Sequence, residues 1–159
     1  MPSHYERLLQ LAEEVFTVRD DPAQVDVDEA VLERLRRLHP AAVSEEADAN
    51  GPVAWVLLIP TTRELMEDFL AERITEQELY ARTPVDAPYE AVYLCSALVL
   101  AEYRLRGITR RLVLAALAHM RKDHPVSTLF VWPFSREGRL AAGAIAKAAA
   151  LPLREPGRG

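Results

Sequence analysis

Cysteine occurs once in the 159 residues, at Cys95. A single thiol excludes an internal disulfide and any zinc site built from several cysteines, and it is what a reducing, cytoplasmic setting predicts. Long apolar runs are also missing. None approaches the ~20 residues that a helical membrane span requires, so no membrane partner is expected. The opening stretch MPSHYERLLQLAEEVF carries acidic residues and no apolar h-region, which predicts that it is not a secretory signal. An excess of positive charge is absent, since the net charge is -5, and general attraction to nucleic acid is not expected. The four histidines, His4, His39, His119 and His124, do not make a metal pattern. His119 and His124 are five apart rather than at the i, i+4 spacing of a helical ligand pair, so no metal is expected. The segment SREGRLAAG has neither a phosphate-loop lysine nor a GxSxG nucleophile turn.

What is present is ordinary for a folded chain. Half the residues are hydrophobic and 27% are charged, which argues against disorder. The length suits one domain spanning residues 1–159, burying roughly 70% of the surface of the unfolded chain. The charge, however, is unevenly placed. Residues 1–103 hold 8 Lys/Arg against 21 Asp/Glu, and residues 104–159 hold 11 against 3. The basic third begins with LVLAEYRLRGITRRLV, residues 98–113, where four arginines surround a single glycine, Gly107.

Periodicity gives the element order. SHYERLLQLAEEVF puts Tyr5, Leu8, Leu9, Ala12, Val15 and Phe16 on one helical face, with Ser3 and Glu6 as a capping box. DVDEAVLERLRRLHP is a second helix with Val31, Leu32, Leu35 and Leu38 inward. AAVSEEAD and VAWVLLIP read as a hairpin about the Asn50-Gly51 turn. Two helices follow, TTRELMEDFLAER and ITEQELYART, the second capped by Thr75 with Glu78. AVYLCSALVL is apolar on both faces, as a central strand is. ITRRLVLAALAHMRKDH is a helix with Ile108, Leu112, Ala115, Ala116, His119 and Met120 near one face. STLFVWPF is another buried strand, SREGRLAAGAIAKAAA a small-residue helix, and LPLREPGRG a tail with room for one edge strand. Hairpin strands combined with βα crossovers predict an α/β fold with a mixed sheet flanked by helices.

The basic junction has a physical reading. A helix start leaves backbone N–H groups unpaired and carries partial positive charge, and a glycine there lets an anion approach the backbone closely. A buried strand followed by glycine and arginines can therefore cradle a pyrophosphate. It can equally be an exposed basic turn, and spacing alone leaves both open.

VLAEYRLRGIT resembles motif A of the GNAT acetyltransferase superfamily, R/Q-x-x-G-x-G/A after a central strand. Arg104 falls on the first position, Gly107 on the glycine and Thr109 on the final Gly/Ala. The resemblance implies acetyl-CoA as co-substrate. The backbone amides of Leu105, Arg106, Gly107, Ile108, Thr109 and Arg110 would meet its pyrophosphate, and Leu98, Val99 and Leu100 would lie along the pantetheine arm. It also implies a GNAT-like mixed sheet flanked by helices, from which this chain departs by a helical insertion at about residues 61–82, before the central strand, and by a truncated C-terminal hairpin. An unknown amine would be the acceptor, and a homodimer is compatible with it. The chain departs from the family's residue pattern as well: Thr109 stands for Gly or Ala, Leu105 for a common second glycine, Ser135 for a frequent asparagine, and no tyrosine follows Tyr103.

Transfer to an amine needs a base, an oxyanion donor and an acid for the departing thiolate. Glu90 and Glu46 are the base candidates, near strand starts. Tyr93, Cys95 and Tyr103 are the acid candidates, with Tyr93 and Cys95 on one face of the central strand. For the carboxylates the plain alternative is a solvated surface, and for the tyrosines and the thiol it is core packing. Two functions are in competition: an N-acetyltransferase, and a non-catalytic module that works through protein contacts.

Overall fold

Eleven consecutive residues, GPVAWVLLIPT, form the spine of the molecule. In the computed structural model, which describes residues 3–19, 29–132 and 135–156 (side chains 12–19 apart), this strand is buried from Val53 to Thr61 on both its faces. A strand covered on both sides by helices needs such an unbroken apolar run. The order is α1 (His4–Arg19), α2 (Glu29–Leu38), a 3-10 turn (Pro40–Ala42), β1 (Val43–Asp48), β2 (Gly51–Thr61), α3 (Arg63–Leu70), α4 (Glu76–Arg82), β3 (Ala91–Val99), a second 3-10 turn (Ala101–Tyr103), α5 (Ile108–Asp123), β4 (Thr128–Phe130), α6 (Arg136–Ala149) and β5 (Leu153–Arg154).

The five strands make one sheet in the order β1-β2-β3-β4-β5. The first three run antiparallel, and β4 and β5 are parallel to β3 and to each other. This is the α/β mixed sheet that the pattern predicts. The hairpin turns at Gly51, whose φ of 119° no other residue type adopts readily, with the Asn50 N–H donating to Asp48 Oδ1 at 2.7 Å.

Helix starts follow local chemistry. Thr62, Thr75 and Ser135 each accept a first-turn N–H with the side-chain oxygen, and Thr75 and Glu78 complete a reciprocal capping box. α1 runs on through Arg19, where the TVR sequence suggests a loop. Its inward face is narrower than its periodicity implies: Leu8 is buried, while Tyr5 and Leu9 are exposed. Ala12, Val15 and Phe16 lie outside the described side chains. On α5 the buried stripe is Ile108, Val113, Ala116, Leu117 and Met120, and Ala115 and His119 face outward. β4 is far shorter than STLFVWPF, covering Thr128–Phe130 only. Pro133 and Phe134 of that stretch lie outside the described residues.

Two apolar clusters hold the fold together. The larger joins the sheet centre to α2, α3, α4, α5 and α6, through residues such as Leu35, Leu57, Phe69, Leu79, Leu117 and Phe130. The smaller joins Leu8 of α1 to Val53, Trp55, Leu98, Leu100 and Ile108. It anchors the far end of β3 and the first turn of α5, and so fixes the loop between them. Among the described residues no helix is long and apolar enough to cross a membrane.

Candidate functional site

β3 and β4 are in register over three pairs, from Ala91↔Thr128 to Tyr93↔Phe130. Beyond Tyr93, β3 continues to Val99 while β4 stops at Phe130, and the two chains part. At this point the pairing of β3 with β2 also shifts. Leu58 opposes Leu94 and Leu57 opposes Ser96, so Cys95 is the extra residue of a β-bulge. A bulge bends its strand and re-aims side chains. The split between the strands holds a cavity of about 210 Å³, lined by Leu94, Cys95, Val131, Trp132, Ala142 and Ile145 among others.

The loop after β3 closes the same opening at its other end. Leu105 sits at φ 63° and Gly107 at φ 72°. The left-handed region is free for glycine but costs a leucine about 1–2 kcal/mol, and Leu105 recovers nothing by burial, being wholly exposed. Gly107 is the N-cap of α5 and supplies no side-chain cap. The first intrahelical bond runs from Arg111 N–H to Gly107 C=O, so the N–H groups of Ile108, Thr109 and Arg110 have no acceptor within the helix. A second cavity of about 310 Å³ lies against residues 103–110 and the α6 face of Ala141, Ala144 and Ile145. Both cavities are bordered by Thr109, Ala141 and Ile145, so they lie side by side, a groove in two parts between the strand split and the start of α5.

The four arginines are engaged differently. Arg111 is held by Glu46. Arg104 folds back, its Nε–H donating to Val99 C=O at 3.2 Å. Arg106 lies over the Tyr103 ring, 4.9 Å from its centroid. Arg110 borders the second cavity, and among the described residues no ion pair or hydrogen bond engages its guanidinium.

Tyr103 is itself anchored. Its hydroxyl donates to Asp48, the last residue of β1, and His4 Nδ1 stands 3.2 Å from the other oxygen of that carboxylate. The bond from Tyr103 lowers the pKa of Asp48 and raises that of Tyr103. Beside it, Arg7 grips Glu102 through its two terminal nitrogens, Nη1 and Nη2, at 2.9 and 2.7 Å, which holds the Glu102 carboxyl down at about 2. The turn that leads into the 104–107 loop is thus tied to both the hairpin and α1.

The remaining candidates divide. Val99, Arg104, Leu105, Arg106, Gly107, Ile108, Thr109 and Arg110 all border the groove. Leu98 and Leu100 do not: their side chains are buried in the smaller cluster. Glu90 is not brought to the groove either. It precedes β3 at the closed end, where its carboxylate is 3.4 Å from Arg63. Tyr93 is buried, and its hydroxyl donates to Glu76 Oε2 at 2.6 Å. Cys95 lines the strand-split cavity, with its Sγ 4.0 Å from Glu76 Oε1.

Glu76 is the residue that sequence reasoning misses. As the first residue of α4 it looks like any solvated first-turn acid, and only the packing of α4 against the sheet turns it inward. The histidines are a second gathering that spacing does not reveal. His39, His119 and His124 meet where α2 and α5 end, with ring centroids 5.1 and 5.7 Å from His39. His39 Nδ1 accepts the Ala41 N–H at 3.0 Å, so its proton sits on Nε2, which donates to Asp123 at 2.7 Å. Among the described residues no group of His, Cys, Asp or Glu is arranged to hold a metal ion. Comparison with protein-family models, with curated proteins and with solved structures gives no match.

Proposed function

We propose that the chain is a diverged GNAT-like protein that binds acetyl-CoA or another acyl-CoA in the groove, and that it transfers the acyl group to an amine. The observation that carries this reading is that the two cavities adjoin, one at the strand split and one at the start of α5. An acyl-CoA is a long, thin thioester arm joined to a pyrophosphate. It needs an open strand edge for the arm and, at the far end, a cluster of N–H donors and cations for the phosphates. The parted strands β3 and β4 offer the first, and the uncapped start of α5 with Arg110 offers the second. The motif resemblance at Arg104, Gly107 and Thr109 points to the same residues.

The chemistry fits the cavity wall. A thioester carbonyl lying in the split would be flanked by the β3 bulge, and the thiolate is an adequate leaving group near neutral pH because thiols are far more acidic than amines or alcohols. Arg104 must release Val99 C=O if the arm is to pair with that carbonyl.

The test is thermal unfolding with acetyl-CoA, with CoA and without ligand. A ligand at 100 times its Kd stabilises by about 2.7 kcal/mol. Stabilisation by both, together with amine-dependent thiol release, supports the transferase. Stabilisation without turnover on any amine would leave a non-catalytic CoA-binding module. No shift with either compound would remove CoA from the reading and favour a module acting through protein contacts.

A further inference from the structure

Glu76 is the one carboxylate buried among the described residues. Burying a carboxylate is expensive unless something compensates, and buried titratable groups beside a cleft are candidates for function. A capping role does not account for it. The α4 N-cap is completed by Glu78, whose Oε1 takes the Thr75 N–H at 3.1 Å while the Thr75 hydroxyl takes the Glu78 N–H at 3.0 Å. Glu78 also pairs with Arg82 one turn on. Glu76 instead points at the sheet, with Tyr93 O–H on one oxygen and the Cys95 thiol at the other. Of these three, only Cys95 borders the strand-split cavity, and it does so as the bulged residue at the point where β3 leaves β4.

We infer that Glu76 is the proton acceptor for the acyl transfer proposed above, reached from the cavity through the Cys95 thiol, with Tyr93 fixing the carboxylate. The inference rests on the acyl-CoA reading. The acceptor nitrogen attacks the thioester carbonyl carbon, a C–N bond forms, the C–S bond breaks, and CoA leaves as thiolate with the bonding electrons. The proton shed by the nitrogen passes to Cys95 Sγ as the thiol proton passes to Glu76 Oε1. Cys95 ends as a thiol and Glu76 as a neutral acid. The thiolate takes a proton from solvent and Glu76 returns one to solvent, so the cycle balances. Cys95 is then the catalytic residue, while Glu76 and Tyr93 act through it. The α3–α4 segment thereby serves the chemistry, because it carries the base to the side of the sheet.

The experiment measures acetyl-CoA binding by calorimetry and amine-dependent thiol release for the parent and for Glu76→Gln, Glu76→Asp, Cys95→Ala, Cys95→Ser and Tyr93→Phe. Glu76→Gln and Cys95→Ala should each lower kcat by about 100-fold or more, the usual loss for a general base, with acetyl-CoA affinity within twofold of the parent. Glu76→Asp and Cys95→Ser keep a proton-carrying group and should recover most of the rate. The decline of kcat toward acid pH, present in the parent, should vanish in Glu76→Gln. Tyr93→Phe should shift that decline rather than remove it. Glu76→Gln or Cys95→Ala turning over at the parental rate would overturn the inference, as would an acid limb retained in Glu76→Gln. If Glu76→Gln does not fold, Cys95→Ala at the rim decides alone. A parent that binds acetyl-CoA but releases no thiol with any amine also overturns the inference, while a parent that does not bind it overturns the acyl-CoA reading first.

Discussion

Replacing Gly107 by alanine separates the cost of folding the loop before α5 from the cost of filling the space beside it. Gly107 sits at φ 72° and ψ 16°, a conformation that costs an L-residue about 1–2 kcal/mol. A Cβ built there meets no atom within 4 Å, so no clash adds to the strain. Alanine also restricts the unfolded chain, which offsets roughly 0.4–1 kcal/mol of that cost. The net loss is about 1 kcal/mol, or roughly 2–4 °C in Tm for a chain of this size. Binding responds to a different quantity. The open space that spares the free protein is the space a phosphate would enter to reach the N–H groups of residues 108–110, and a methyl group there holds the anion off. Acetyl-CoA affinity should therefore fall tenfold or more, well beyond what the stability change implies. Thermal melts and calorimetry on the same preparations separate the two effects. Unchanged affinity with a small drop in Tm would refute the cradle, and a drop well above about 8 °C would refute the open environment of Gly107.

Three further outcomes follow from the same geometry. Arg110→Ala should weaken acetyl-CoA binding about tenfold at low salt, with the gap closing as ionic strength rises; Arg111→Ala, which removes only a surface pair with Glu46, should leave affinity unchanged and cost under about 1 kcal/mol in denaturant melts. Equal losses from both would count against this division. Leu105→Asn, placing a residue tolerant of the left-handed region at φ 63°, should stabilise the chain by roughly 0.5–1 kcal/mol, and a destabilised variant would show that the leucine makes a contact. His124 has its pKa lowered below 6.5 by burial first and by His39 second, with Asp123 opposing; the unfolded chain then holds that proton to higher pH, so the stability from neutral His124 is complete above 6.5 and is lost as pH falls through the folded value. His124→Gln should flatten the pH dependence of urea midpoints as pH falls below 6.5, and an unaltered slope would exclude this assignment.

Local rules wrote much of the fold legibly. The Thr75–Glu78 box, the Asn50-Gly51 turn and the two-faced apolar strand at 91–99 each depend on neighbours in sequence, and each stands where its residues predict. The left-handed glycine at the start of α5 was legible for the same reason, because Gly107 and the helical pattern that follows it are neighbours in sequence. What was not legible depends on distance. That β4 would stop after three residues follows from how the chain leaves the sheet, not from the apolar content of STLFVWPF. The bulge at Cys95 shows only when β3 is laid against β2. Glu90 and Glu76 are both acids at the start of an element, and nothing local tells that the first pairs with Arg63 while the second turns under the sheet. The histidine gathering joins residues 80 positions or more apart, beyond the reach of any spacing rule.

The three-pair join between β3 and β4 has a mechanical side. On one side of it stand β1, β2 and most of β3, tied by long antiparallel ladders; on the other stand β4, β5 and α6. The sheet is thus two leaves stitched along a short seam, with α5 as the spine that packs against both β2 and α6. Regions held by few ladder bonds open at lower free energy than the core they adjoin. The slack that makes room between the leaves begins where this short join ends, and any molecule lying in the split supplies the stitches the strands leave out.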